Sequence, residues 1–197
     1  MARSDIDYPR RVMVDDTDPQ ILYDTGWDLD GSNFNDFGVF GDPYNNTMRG
    51  TTSAKAGFKF TFEGDFVQVR GAKDNRKILR PLNATYDSLN LFPTYTCHID
   101  GEPVVPFGYP SSKYVVTNLV LCERGQLSKA RHTISMEIKV SDPNSQAFWI
   151  DSIEYSPLDN ADVTSKVLRI DSSDSGCVYR NSSGGWETDN YHHPSLR

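Results

Sequence analysis

The stretch "FKFTFEGDFVQVRGA", residues 58–72, decides the fold. Phe58, Phe60 and Phe62 alternate with Lys59, Thr61 and Glu63. Successive side chains of an extended chain point to opposite faces, so this spacing builds a strand with one aromatic face turned inward. Beyond Glu63 the alternation resumes with Val67 and Val69 against Gln68 and Arg70. Gly64-Asp65 stands between the two runs and reads as the tight turn of a hairpin.

The same period of two recurs outward from this segment. In "TISMEIKV", residues 133–140, Ile134, Met136, Ile138 and Val140 share one face. "TYTCHIDGEPVVPF", residues 94–107, carries Asp100-Gly101 between apolar runs, the signature of a type I′ hairpin. "KYVVTNLVLCE" (113–123) and "AFWIDSIEYSP" (147–157) supply two more strands. Pro157 closes the last, since proline cannot extend a central ladder. Residues 72–92 are less regular and read as a long loop, and no long amphipathic helical stretch is present. We expect seven or eight strands between Val12 and Tyr155, hence an all-β fold, an antiparallel two-sheet jelly-roll β-sandwich. Its inward residues are expected to be Phe58, Phe60, Phe62, Val67, Val69, Ile134, Met136, Ile138 and Ile150.

The tail of the chain repeats its head. "VLRIDSSDSGCVYRNSSGGW", beginning at Val167, lies opposite "VMVDDTDPQILYDTGW", beginning at Val12, with one added residue near the start. Asp171, Asp174 and Tyr179 each sit 156 positions after Asp15, Asp18 and Tyr23. Trp186 answers Trp27, and Ser195-Leu196-Arg197 answers Thr47-Met48-Arg49. A period this long is a domain rather than a solenoid unit. Three parts are expected: an extension over residues 1–10, a sandwich over 11–160, and a linker with the cut start of a second copy over 161–197. Such a fragment cannot bury both faces of its own sheet. Weak order or disorder after residue 160 is the preferred expectation. The rival is that "KVLRID" adds to an exposed sheet edge, in the same molecule or a neighbour.

The 197 residues carry a formal charge of -7, which argues against a nucleic-acid groove. No apolar run approaches the length of a membrane span, and "MARSDIDYPRR" lacks the apolar centre of a signal peptide. Sequons at Asn45, Asn83 and Asn181 mark surface loops if the chain is secreted. Cys97 and Cys122 fall at strand positions, and a bridge between them would close a loop of roughly 25 residues, stabilising by about 3 kcal/mol on the chain-entropy account. Cys177 lies opposite Ile21 and reads as a small apolar residue.

The order of "VDDTDPQILYDTGW", "YNNTMRGTT", "YTCHIDG", "LVLCERGQLSKARHTISMEI" and "FWIDSIEY" resembles the repeated extracellular β-sandwich domain of many basidiomycete fungal proteins. Those domains often precede a single transmembrane helix and look like galactose-binding-like jelly rolls, the fold of many carbohydrate-binding modules. The likeness covers residues 11–157 and, as a second copy, 166–197. It implies an extracellular or cell-surface location and a carbohydrate or cell-surface glycan as partner.

Asp15, Asp16 and Asp18 crowd one turn, and Asp151 lies on the last strand. In jelly rolls of this kind the first and last strands are neighbours, so Asp16, Asp18 and Asp151 are candidate ligands of a structural Ca2+, which takes six to eight oxygens. The plainer reading, which we prefer, is an Asx-type turn set by Pro19. Candidate sugar platforms are the loop aromatics Trp27, Phe34, Phe37, Tyr44 and Tyr109, because a pyranose C–H face packs on a ring. Trp27 reads equally well as a plug at the end of the sandwich, given its echo at Trp186. His98, His132, His192 and His193 lack metal-ligand spacing, and His132 reads as a surface turn residue. No serine sits in a GxSxG elbow. The expectation from sequence is a non-catalytic extracellular binding module for carbohydrate, not an enzyme. The alternatives are a structural or adhesive spacer and, less favoured, a glycoside-active enzyme.

Overall fold

The computed structural model describes residues 10–31, 34, 40–74, 92–108 and 114–170. Among them the fold is all-β, every strand pairing is antiparallel, and no α-helix occurs. The strands are β1 (Arg11–Asp15), β2 (Leu22–Tyr23), β3 (Leu29–Asp30), β4 (Arg49–Thr51), β5 (Ala56–Lys73), β6 (Thr94–Ile99), β7 (Glu102–Val104), β8 (Val116–Arg124), β9 (Ala130–Lys139), β10 (Phe148–Pro157) and β11 (Val167–Arg169). Tyr44–Asn46 form a 3-10 turn.

The expected hairpin at Gly64-Asp65 does not form: β5 runs through it as one strand of 18 residues. Its first half, Ala56–Gly64, pairs with β9, and its second half, Val67–Lys73, pairs with β8. The partner β10 lies along Gly64–Ala72, with a register shift where Pro157 meets Gly64. The reason is steric. A side chain at Gly64 would overlap the Ser156 carbonyl, so the glycine serves close approach between strands. Ten strands nevertheless lie between Arg11 and Pro157 among the described residues, because the short pairings β2, β3, β4 and β7 add to the long ones. The Asp100-Gly101 turn takes φ of 53° and 86°, both left-handed, as type I′ requires.

Strand β5 pairs with β9 along its first half and with β8 and β10 along its second. The sheet order runs β7-β6-β9-β5 and continues from β5 through β10 and β1 to β11. One core cluster draws on strands along this whole order. Phe58, Phe60, Phe62, Val67, Val69, Ile134, Met136, Ile138 and Ile150 are all buried in one cluster. Tyr95 of β6 meets Phe148 of β10 at 5.5 Å, and Phe60 meets Tyr155 at 6.0 Å. Cys97 of β6 and Cys122 of β8 are disulfide-bonded, with Cα atoms 6.4 Å apart. A second, smaller cluster sits on the outer side of β10, where Phe34, Met48, Ala72 and Val115 surround Trp149. Strand β10 is thus covered on both faces, which explains why its sequence shows weaker alternation than β9.

Two further expectations are corrected. His132 is no surface turn residue. It lies inside β9, 7% exposed, with Nδ1 at 2.6 Å from the Asp100 carboxylate and Nε2 at 2.8 Å from the Ser128 carbonyl oxygen. The preference for weak order beyond residue 160 also fails through residue 170. Strand β11 pairs with β1 in the same molecule, and Arg169 reaches Glu154 at 2.7 Å. The edge-pairing alternative describes this part of the tail. Residues 171–197, with Cys177, Asn181, Trp186, His192 and His193, lie outside the described residues.

Candidate functional site

The site grows from the pairing of β1 with β10. Asp15 lies opposite Ser152, and the Asp16 amide donates to the Asp151 carbonyl at 3.0 Å. The chain then turns: the Asp18 amide donates to the Asp15 carbonyl at 3.0 Å, and the Asp18 carboxylate accepts from the Gln20 amide at 2.8 Å. This is the Asx-type turn anticipated before Pro19. It leaves the side chain of Asp16 aimed inward, 2% exposed, and that of Asp151 fully buried.

The 3-10 turn holds both carboxyls from the other side. Tyr44 donates its amide to Asp151 Oδ1 at 2.9 Å. Thr47 Oγ1 donates to Asp16 Oδ1 at 2.7 Å and also lies 3.2 Å from Asp15 Oδ1. The Tyr23 hydroxyl donates to the Asp16 carbonyl at 2.9 Å, and the Arg49 guanidinium stacks 4.6 Å over the Tyr23 ring. Burial raises the carboxyl of Asp16 to about 6, with the neighbouring charge of Asp15 adding to it and the Thr47 hydrogen bond and Arg49 opposing. Burial likewise raises Asp151 to about 7, against the Tyr44 amide and with the help of Asp16 and Asp15. Asp151 Oδ2 has no hydrogen-bond partner among the described residues.

Asp16 is buried yet lines an open cleft of about 360 Å³. Trp27, Asp28, Leu29, Asp30, Thr47 and Arg49 also line it. Trp27 is half-buried. Its indole N–H is shared between the Gly57 carbonyl at 3.0 Å and the Asp24 carboxylate at 3.2 Å, and its ring meets Tyr23, Phe58 and Phe148. It is fixed by the core and presents its remaining surface to the cleft. A larger groove of about 910 Å³ lies nearby on the outer side of β10 and is lined by Tyr44, Phe40, Phe107, Arg70 and Asn118 among others. Phe40 and Phe107 are 59% and 48% exposed there.

Of the five aromatics singled out from sequence, Trp27 and Tyr44 sit on these two depressions. Phe34 does not: it is fully buried, 4.9 Å from the Trp149 ring, and belongs to the small outer cluster. A loop aromatic was misread because that loop lays an apolar residue onto the second face of β10. Phe37 and Tyr109 lie outside the described residues, as does Asn83. Asn45 is exposed on the 3-10 turn with φ of 52°. As a calcium set, Asp16 and Asp151 are brought together but Asp18 is held apart in its own turn. Among the described residues no group of three or more His, Cys, Asp or Glu side chains is arranged to hold a metal ion. Also among them, no helix is long and apolar enough to cross a membrane.

The sequence reading missed Thr47, Arg49, Asp28 and Asp30. For the first two a signal was present, because Thr47-Met48-Arg49 was set opposite Ser195-Leu196-Arg197 in the comparison of head and tail.

No family model matches the chain, and no curated protein matches it. Solved structures do. The Agl-KA catalytic domain is similar at 12% identity and a TM-score of 0.43, over 75% of this chain and 28% of that one. The catalytic domain of GH87 alpha-1,3-glucanase in complex with nigerose is similar at 12% identity and a TM-score of 0.40, over the same shares. The structures similar to this chain are therefore catalytic domains, where a non-catalytic module and no enzyme were expected, and that expectation is set aside. The chain spans little more than a quarter of the length of those domains, and a likeness of this size assigns no catalytic residue here.

Proposed function

We propose that this domain acts on carbohydrate as part of a glycoside-active protein, and that the cleft holding Asp16 is where the sugar meets it. The observation that carries the reading is a nearly buried carboxyl opening into a cleft beside a fixed tryptophan and two exposed carboxylates, Asp28 and Asp30. Glycoside hydrolysis by a carboxyl pair needs one group protonated to release the leaving oxygen and one ionised to activate water or attack the sugar. Asp16, raised by burial to about 6, supplies the acid at mildly acidic pH. Asp28 or Asp30, on the wall of the same cleft, supplies the second carboxyl of the pair. Trp27 offers a C–H packing surface and Arg49 a donor to hydroxyls.

The carrier is read as a galactose-binding-like jelly roll. The adjacency of β1 and β10 and the pairing of one long β5 with β9 and then with β8 support that reading. The Cys97–Cys122 bridge supports an oxidising, extracellular setting.

The test is reducing-end release from a panel of α- and β-linked glucans, using the full chain, Asp16→Asn, Asp28→Asn and Asp30→Asn. Asp16→Asn should lower release by about 10²-fold or more with the fold retained, and one of the other two should do the same. Release should decline as pH rises through about 6, where Asp16 ionises. No release from any glucan by the unmodified chain, together with no binding heat, overturns the reading.

A further inference from the structure

We propose that the outer edge of β1 is a self-complementary docking edge whose occupant is the first strand of another copy of this repeat unit, in this chain β11. The register carries the argument. Arg11, Val12 and Met13 lie opposite Arg169, Leu168 and Val167. With no residue added before Asp171, in place of the one added residue set near the start above, the 156-residue spacing makes Val167, Leu168 and Arg169 the counterparts of Arg11, Val12 and Met13. It also sets the apolar Leu168 and Ile170 against the inward Val12 and Val14. Val12 therefore faces its own counterpart, while Arg11 faces the counterpart of Met13 and Met13 that of Arg11. An antiparallel pair centred on equivalent residues has a local two-fold axis, the arrangement by which one surface recognises a copy of itself.

The edge suits that role. Strand β1 has β10 on one side and β11 on the other, so displacing β11 exposes a row of unpaired N–H and C=O groups. Strand β1 itself carries no proline, and its alternation buries Val12 and Val14. Val167 is 55% exposed and β11 only three residues long, so the occupant is held lightly. Charge is accommodated as well. Arg11 faces Arg169 in the cis pair, and Glu154 lies between them, 3.5 Å from Arg11 and 2.7 Å from Arg169. In a pair of two β1 strands with the same axis, Arg11 faces Met13, and that like-charge contact is absent. The partner this surface fits is thus a second copy of the unit, joined in one chain or from another molecule, so that one sheet runs through both.

The experiment uses the full chain in a Cys177→Ser background. Leu168→Pro removes a ladder donor from β11 and leaves β1 intact. Its mass should double with rising protein concentration while the parent stays monomeric. With Val12→Cys added, oxidation should join two chains through the introduced thiols. With Val14→Cys instead it should not, because that position lies two residues from the axis. Arg169→Glu displaces β11 by a second route, repulsion from Glu154, and the same readouts apply. If either variant retains its near-ultraviolet spectrum and stays monomeric at all concentrations, or if positions 12 and 14 cross-link equally, the proposal fails. If both variants unfold, β11 is an indispensable part of the fold rather than an occupant, and the proposal fails too. None of these outcomes depends on glycoside activity.

Discussion

The Tyr44 amide points at Asp151 Oδ1 from 2.9 Å, joining the 3-10 turn to the middle of β10 across 107 residues of sequence. That bond is the chief polar compensation for a fully buried carboxyl, whose second oxygen meets no hydrogen-bond partner among the described residues. Asp16 lies beside it and shares the penalty.

The pair makes stability depend on pH with a definite sign. Both carboxyls are raised above 3.8, to about 6 for Asp16 and about 7 for Asp151. The folded chain therefore holds protons that the unfolded chain has released, and stability falls as pH rises from about 4 to about 7. His132 acts in the same direction: burial lowers it, but its bonds to Asp100 and Ser128 outweigh burial and raise it, so its contribution is lost as pH passes through the raised value. Asp151→Asn keeps the acceptor for Tyr44 and removes the ionisation. It should gain about 2–4 kcal/mol relative to the parent on going from pH 5 to pH 8, at about 1.4 kcal/mol for each tenfold difference in proton affinity between the folded and unfolded chain. Melting curves at the two pH values check this, and an unchanged difference would show that the carboxyl is hydrated.

Removing the Cys97–Cys122 bridge should cost about 3 kcal/mol, the entropy of a loop of 25 residues. Both cysteines are buried, so the double alanine variant should also lose packing between β6 and β8. Urea unfolding of the oxidised parent and the variant gives the difference. Equal midpoints would mean that β6 and β8 are held by packing alone.

Glu154 is fully buried and meets Arg70 at 2.5 Å, Arg169 at 2.7 Å and Arg11 at 3.5 Å. Glu154→Gln leaves three guanidinium groups without their common anion and should destabilise by about 3 kcal/mol, as breaking a buried pair does. Amide exchange at Val167–Arg169 should quicken more than at β9, because the Arg169 ion pair ties β11 to β10.

Gly64→Ala should destabilise by about 3 kcal/mol or more, since its side chain would meet the backbone of β10 at Ser156. Gly108→Ala, with open space around it, should change the melting temperature little. A tolerated Gly64→Ala would mean that β5 turns at this residue, as its sequence suggested.

Much of the framework was legible because it depends on period alone. The inward faces of β5 and β9 follow from alternation, and the Asp100-Gly101 turn follows from the left-handed backbone its residues accept. Phe34 and His132 were misread for a different reason. The burial of each depends on what another part of the chain lays against it. Gly64 was misread because a glycine needed for a turn and a glycine needed for strand contact look the same in one dimension.

The sequence by itself determined the strand faces, the candidate bridge and the Asp18 turn, all of which are local patterns. Tertiary structure alone decided that β5 runs unbroken from its pairing with β9 to its pairing with β8, that Asp16 and Asp151 are buried beside each other, and that β11 pairs with β1. These depend on which strands become neighbours. Neighbourhood is set by the total burial and hydrogen bonding that the assembled sheet recovers, a sum over distant residues that no short window contains.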